Sequence, residues 1–487
     1  MEMEKILFVP VLLPFLCGLY MFVRPFEQRK SRNIYVFCVT AITSAVVIAL
    51  VLSGVEGTQQ IIRLDSDLNL CFRMDGLSRV FALIVSILWP IAVLYSFEYM
   101  SLEKDENRFF AFYTITYGVV MGIAEAENYF TLYLFYELLT LATLPLVMHE
   151  MDAQARFAGK RYILYSMSGA ALSFIAMVLT AKNGSLSYAL GGNGSMTGKL
   201  AETVFLLGFF GFGVKAAVVP LHSWLPTAGV APTPVTALLH AVAVVNSGVF
   251  AILRLIYYCV GCEALSGTTA QYIAMGFASL TIVYGSMMAL RQRNLKRRLA
   301  YSTVSNLSYI LFGAVLMYPA GLASALMHMA VHSVTKIILF FCAGALLCAT
   351  HHKKRNIDDY EGYGKKLPLL FSVFSVASLA LIGVPPMGGF TSKWMIAKAA
   401  AAVNTPMAWV GNAALCISAF LTGLYLIGLL IRAFWPGEKA VVTPDSEVHK
   451  NGWQINVSLI ILTVLLILVS GFANEIYACF AGIAGLM

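Results

Sequence analysis

Seven ionisable side chains stand in stretches that are otherwise apolar. Glu137 lies in "YLFYELLTLATLPLV", Lys215 in "GFGVKAAVVPLHSWLP" and His240 in "TALLHAVAVVNSGVF"; His328, His332 and Lys336 share "LMHMAVHSVTKIILF", and Lys393 follows "GVPPMGGFTS". An ionised group at bilayer depth costs at least about 2.5–3.5 kcal/mol on insertion scales, so such groups usually face a protein interior or a water-filled cavity. Their types suit proton transfer. Each can hold and release a proton, and a relay requires such groups within hydrogen-bonded or water-bridged reach of one another. Desolvation favours a neutral lysine and a nearby carboxylate favours a charged one, so moving that carboxylate's charge would switch the lysine between holding and releasing. Glu137 and Lys215, at matching depth, are candidate partners. The spacing of His328, His332 and Lys336 by four puts them on one helix face. In chain order the seven groups suggest a polar file through the middle of a bundle.

Each group also has a plainer explanation. A lysine near a helix end snorkels to the interface, which fits Lys393, and a lone histidine such as His240 or His332 is often a hydrogen-bonded core residue. For Glu137, Lys215 and Lys336 the plainer explanation is a static buried ion pair. The prolines favour the relay. Pro220 follows Lys215 by five residues, and Pro385 and Pro386 precede Lys393; each removes a helix hydrogen bond. Broken backbone at membrane depth is tolerated where it is buried in protein or lines a cavity, and paired breaks in two halves point to an internal repeat with transport sites at the breaks.

Other chemistries find little support. The nine cysteines are scattered, mostly in apolar segments. Cys259 and Cys262 in "CVGC" have redox or metal spacing, but a tetrahedral site needs a second pair. The "HHKK" at 351 reads as a solvated basic loop, and "GFGVKA" matches a dinucleotide fingerprint without the strand that should precede it. No cluster-binding run, haem motif or phosphate loop is present, so no cofactor, metal or redox active site is expected in the chain itself.

The elements that must position these groups follow from composition. Of 487 residues, 59% are hydrophobic and 12% charged, which places the chain in lipid as a polytopic membrane protein. Fourteen apolar runs of bilayer-spanning length are expected, at about 5–23, 33–53, 78–98, 109–126, 128–148, 162–182, 202–225, 233–258, 269–290, 299–318, 321–349, 367–402, 408–435 and 453–473. The basic loops "RPFEQRKSR", "RQRNLKRR" and "HHKKR" then fall on one side, which predicts both termini outside in an inner or plasma membrane. The net charge of +8 is therefore topological, with no basic, aromatic-laced patch for nucleic acid. The first apolar segment lacks a basic n-region and a small-residue cleavage site, so it is expected to stay as a membrane helix.

Five ordered motifs carry a resemblance: "LYLFYELLTLATLPLV", "VKAAVVPLHSWLPTAGVAPTPVTALLHA", "NLKRRLAYSTVSNLSYILFG", "HMAVHSVTKIILF" and "GVPPMGGFTSKW". Over nearly its whole length the chain resembles the antiporter-like subunits L, M and N of respiratory complex I, the D and A subunits of Mrp sodium/proton antiporters and related subunits of membrane-bound hydrogenases. The resemblance implies an all-α bundle of fourteen helices with inverted five-helix repeats, the seventh and twelfth helices broken, and a central hydrophilic axis. The repeats would occupy 109–268 and 269–435, between three N-terminal helices at 1–108 and a last helix with its tail at 436–487. Glu137, Lys215, the group His328, His332 and Lys336, and Lys393 match the family's pattern. Asn246 stands where several members have lysine, while His240 matches the histidine of others. Asn294 replaces a common aspartate and Arg161 a common lysine. The chain ends at Met487 without a long lateral helix, which favours a D-, M- or N-like subunit.

Together these readings describe a proton-translocating subunit of a larger energy-converting complex, with sibling membrane subunits, a possible redox module, and protons or sodium as cargo. A stand-alone secondary exchanger and a non-pumping anchor remain as alternatives.

Overall fold

The structure, a computed structural model, describes residues 6–55, 57–65, 68–192, 194, 196–351, 354–436 and 448–485. His352 and Lys353 of the "HHKKR" loop, and the terminal Met487, lie outside them. Among the described residues the chain is almost wholly helical. Nine helical segments among the described residues are long and apolar enough to cross a membrane: Arg29–Leu52, Gly76–Leu102, Tyr129–Val147, Ala153–Asn183, Thr233–Val260, Thr269–Arg291, Pro319–Ala349, Pro406–Phe434 and Trp453–Gly471. Val9–Val23 and Pro368–Ile382 are shorter apolar helices. Glu106–Ala124 and Leu295–Val315 open on charged turns. The first of these buries its charge by pairing Glu106 with Arg32 and, at 2.7 Å, with Arg29. Polar side chains start several helices: Asp75, Asn128, Asp152 and Asn294 accept the backbone N–H of Ser78, Thr131, Ala155 and Arg297 at 2.6–3.1 Å.

Burial sorts the helices. The apolar cores of Thr233–Val260 and Pro319–Ala349 are enclosed on every side, whereas Arg29–Leu52, Pro406–Phe434 and Trp453–Gly471 keep exposed apolar faces, with Ile42, Phe420 and Ile467 outward. A helix that is apolar around its whole circumference belongs at the centre. The innermost helices are therefore those that carry His240 and the group at 328–336.

One element departs from the all-helical expectation. Strands Thr58–Arg63 and Asn69–Arg73 form an antiparallel hairpin, with Thr58 opposite Arg73 and an irregularity between Gln60 and Ile62. The "TQQIIR" and "NLCFR" segments mix polar and β-branched or aromatic residues without a helical stripe, which suits a short ribbon.

Both expected breaks are present. Gly198–Gly213 ends ahead of Lys215, and the chain turns before the short helix Trp224–Thr227; Pro368–Ile382 gives way to Gly388–Val403. Each break contains a cis peptide, at Val219–Pro220 and Pro385–Pro386. Neighbouring side chains satisfy the freed backbone. The Trp224 indole donates to the Val214 carbonyl at 2.7 Å, Thr281 Oγ1 accepts the Val219 N–H at 3.1 Å, and Ser470 Oγ accepts the Gly388 N–H at 2.9 Å. Two glycines permit the close approach: a Cβ at Gly248 would lie 2.5 Å from the Ala216 nitrogen, and one at Gly389 would lie 1.8 Å from the Ala380 oxygen.

A third interruption was not foreseen. Where an unbroken span was expected over 233–258, Thr233–Ala241 and Val244–Arg254 are separate helices, followed by a π-helical turn at Leu255–Val260. No proline or glycine marks Val242 and Ala243. Instead the Asn246 amide donates to the Ala241 carbonyl and to Ser333 Oγ, both at 2.8 Å, which satisfies the interrupted end from one turn further on.

Candidate proton-transfer site

Lys215 is wholly buried just beyond the end of Gly198–Gly213. Its ammonium donates to the Tyr136 carbonyl and lies 3.5 Å from the Tyr136 ring centroid, so a neighbouring helix holds it by a hydrogen bond and a cation–π contact. Glu137, the next residue on that helix, is close enough for each charge to act on the other. No direct ion pair joins them. Glu137 is half-buried, one of its buried carboxylate oxygens lacks a partner, and it lies on the helix face of Leu134 and Leu141, the latter 60% exposed. The pair is thus electrostatic rather than bonded, and its acidic member reaches the rim of the bundle.

The other five groups share a second neighbourhood. His328, His332 and Lys336 are buried along Pro319–Ala349, with the two imidazole centroids 6.2 Å apart. His328 Nδ1 shares a 2.9 Å hydrogen bond with Ser392 Oγ. Lys336 donates to Ser302 Oγ and, at 3.1 Å, to the Leu299 carbonyl. His240 packs its ring 4.7 Å from that of Phe340, within reach of the charges of Lys336 and His332. Lys393 acts electrostatically on Lys336 and His328. It donates to the Leu381 and Ile382 carbonyls at 2.7 and 3.0 Å and lies 5.1 Å from the Tyr309 ring centroid. The ring nitrogens of His240 and His332 have no hydrogen-bond partner in the protein. Buried polar nitrogens in that state call for water or a moving proton.

The three departures in the sequence acquire physical roles. Asn294 caps Leu295–Val315, a task aspartate performs equally well. Arg161 donates to Ser223 Oγ at 3.0 Å, bracing the first break. Asn246 holds the unforeseen interruption. Tyr136, Ser302 and Asn246 contact the ionisable groups or their breaks but carry no charge, so a search for charge in apolar runs passes over them. Cys259 and Cys262 are free thiols, the first in the π-helical turn and the second at the start of the short helix Cys262–Leu265. Among the described residues, no three His, Cys, Asp or Glu side chains converge as a metal site.

Interrupted helices and buried lysines and histidines within a polytopic bundle define the class of membrane proteins that keep titratable groups away from lipid, at backbone breaks. The chain belongs to the family described as NADH:quinone oxidoreductase/Mrp antiporter, TM, whose model matches residues 126–422. Residues 62–110 match the N-terminal region described for NADH-ubiquinone oxidoreductase (complex I), chain 5. The chain is 33% identical over 398 residues to NADH-quinone oxidoreductase subunit L of Mycobacterium tuberculosis, a match covering 80% of this chain and 61% of that relative. With subunit N of Desulforudis audaxviator it shares 29% over 419 residues, covering 82% of each. A chain in the structure of the Mrp complex from Dietzia sp. superposes with a TM-score of 0.86 at 19% identity, covering 99% of this chain and 97% of that one. The match to subunit L thus spans under two thirds of that relative's length, while the fold matches along almost the whole chain.

Proposed function

We propose that this chain is a proton-translocating, antiporter-like subunit of a complex I-related or Mrp-type membrane assembly. In this reading fourteen helices cross the membrane with both termini outside. Inverted repeats at 109–268 and 269–435 each contribute one proline-broken helix, at Pro220 and at Pro385 and Pro386. Protons load from the cytoplasm near Lys215 or His240, pass Lys336 and leave outward through Lys393, while Glu137 gates Lys215 electrostatically. The observation that carries the reading is the group His328, His332 and Lys336, buried at four-residue spacing on an enclosed helix, with His240 and Lys393 in electrostatic reach. Four buried basic groups and a half-buried fifth, Lys393, without an acidic partner among them make a poor static scaffold, because each charge is costly unless paired. They suit a file in which few are charged at one time.

Glu137 supports sibling subunits. A half-buried glutamate at bilayer depth, on the helix face of the exposed Leu134 and Leu141, is unfavourable against lipid, and another membrane protein packed on that face would complete its burial. A stand-alone exchanger leaves Glu137 facing lipid, and a non-pumping anchor gives the buried bases no role.

The test is outward acidification by sealed vesicles holding the chain with its copurifying subunits. Lys336→Met should abolish it while leaving the assembly intact. Parental translocation by that variant would refute the relay, and full transport by the isolated chain would refute the need for siblings.

A further inference from the structure

A cavity of about 260 Å³, room for several waters, opens beside the basic segment 291–298, and Tyr99, Glu150, Lys296, Arg355, Ala343 and Leu347 line it. Two of these residues belong to the enclosed helix Pro319–Ala349. Ala343 and Leu347 stand seven and eleven residues beyond Lys336, so the three share one helix face, and the cavity wall begins about 10 Å from Lys336 along the axis. Phe340, between Lys336 and Ala343 on that face, packs its ring 4.7 Å from that of His240. The lysine of the cavity is tied to the same neighbourhood. Lys296 donates to the Ala231 carbonyl at 2.6 Å, and Thr236 Oγ1 donates to the same oxygen at 3.0 Å. Thr236 precedes His240 by one turn on Thr233–Ala241, so Lys296 is fixed to the start of the helix that carries this histidine.

We propose that this cavity is the mouth through which protons reach His240, and that Lys296 is a positioning residue whose charge sets how readily His240 accepts one. The proposal rests on the reading of His240 and Lys336 as proton carriers and of the basic loops as cytoplasmic, and it chooses His240 over Lys215 as the loading point. Loading moves one proton from a cavity hydronium, which becomes water, to a ring nitrogen of His240. Both of those nitrogens lack a protein partner. Lys296 does not hand on its own proton, because the Ala231 carbonyl that holds its ammonium has none to exchange. It acts through charge. The charges in reach of His240 are those of Lys296, Lys336 and His332, and those in reach of Lys296 are Glu103, Glu150 and Arg355. The carboxylates favour protons at the mouth, and the lysine opposes a second positive charge one step further in.

The plainer explanation is that Lys296 only tethers the Ala231 carbonyl. A tether needs a donor, and Thr236 already donates to that oxygen. Tethering also gives no reason for a water-sized cavity against the helix of Lys336.

Variants of the intact complex test the proposal, read as outward acidification of sealed vesicles over a series of inner pH values and as recovery of the assembled complex. Gly229 also lines the cavity, and a Cβ built there meets nothing within 4 Å. Gly229→Phe therefore fills the mouth without a clash at its base, and it should slow transport at least about fivefold. Gln154→Trp, from an exposed position on the rim, replaces it if assembly fails. Lys296→Gln removes the charge and makes a protonated His240 less costly, so the inner pH of half-maximal transport should rise by roughly half a unit or more. Lys296→Arg keeps the charge, and its midpoint should not rise. Parental transport with the mouth filled overturns the entrance. A midpoint unmoved in Lys296→Gln, or raised equally in Lys296→Arg, overturns the role of the lysine's charge. Lys336→Met separates these failures from failure of the relay: if it pumps like the parent the relay itself is wrong, and if it abolishes transport while the filled mouth pumps normally only the entrance falls.

Discussion

Each of the two proline-broken helices sets a lysine beside its break, and the two lysines are held in opposite ways. Lys215 precedes its break, is wholly buried, and donates to the carbonyl of Tyr136 on another helix, beside the charge of Glu137. Lys393 follows its break, is half-buried, and reaches back to the Leu381 and Ile382 carbonyls that the break itself leaves open. At the first break the backbone is satisfied by Trp224 and Thr281, so the lysine is not needed to cap it. At the second the cation also caps a helix C-terminus, where positive charge and N–H donors are favourable. A lysine that only carries charge can be removed without structural cost, and one that also caps cannot.

Around the two breaks, the largest effect should come from Lys215→Met. Transport should fall by two orders of magnitude or more, equivalent to about 3 kcal/mol on the barrier. Thermal stability should hold or rise, because the buried ammonium has no direct carboxylate partner and its desolvation cost disappears with it. Proton pumping and melting temperature of the purified complex check both halves, and a variant that pumps normally would reduce Lys215 to scaffolding. Next in size is Glu137→Gln, which keeps the shape and removes the charge. Coupled transport should drop about tenfold or more with assembly intact, because the charge that favours protonated Lys215 is gone. Normal pumping by this variant would mean that the pair has no gating role.

The same contrast explains how much of the site could be read from the sequence. Charged residues in apolar runs are conspicuous, so Glu137, Lys215, Lys336 and Lys393 stand out, and Pro220, Pro385 and Pro386 announce their breaks. Helical spacing puts His328, His332 and Lys336 on one face, and the structure buries all three. Contact between Glu137 and Lys215 was not legible, because matching depth leaves the rotation of each helix open; here Glu137 turns toward the rim. The interruption at Val242 and Ala243 was hidden for a different reason. An asparagine one turn further on supports it rather than a proline, and Asn246 in an apolar run has several plainer explanations. The hairpin at 58–73 was missed because its strands are too short and irregular to compete with a search for membrane spans.

Lys393 tests the comparison from the other side. Arginine can donate to the Leu381 and Ile382 carbonyls and stay charged, but it does not release its proton in a protein. Lys393→Arg should therefore assemble normally and lose most outward acidification, roughly tenfold. Lys393→Ala should lose as much transport and also about 1–2 kcal/mol of stability, since the open carbonyls lose a charged donor. If Lys393→Arg pumps like the parent, the residue is an interfacial cation and the outward exit lies elsewhere.

The smallest effect separates the second break from its lysine. Ser470 Oγ accepts the Gly388 N–H at 2.9 Å, so it supports the start of Gly388–Val403 from a peripheral helix without touching an ionisable group. Ser470→Ala removes that acceptor and little else. A donor left partly unsatisfied should cost about 1 kcal/mol, read as a small drop in melting temperature of the detergent-solubilised complex. Transport should stay within about twofold, because Lys393 continues to hold the other side of the break through two carbonyls. If transport instead falls as far as in Lys393→Arg while the complex stays assembled, the backbone of the second break is a moving part of the cycle, and the division between a free lysine at the first break and a structural one at the second no longer describes how the two halves work.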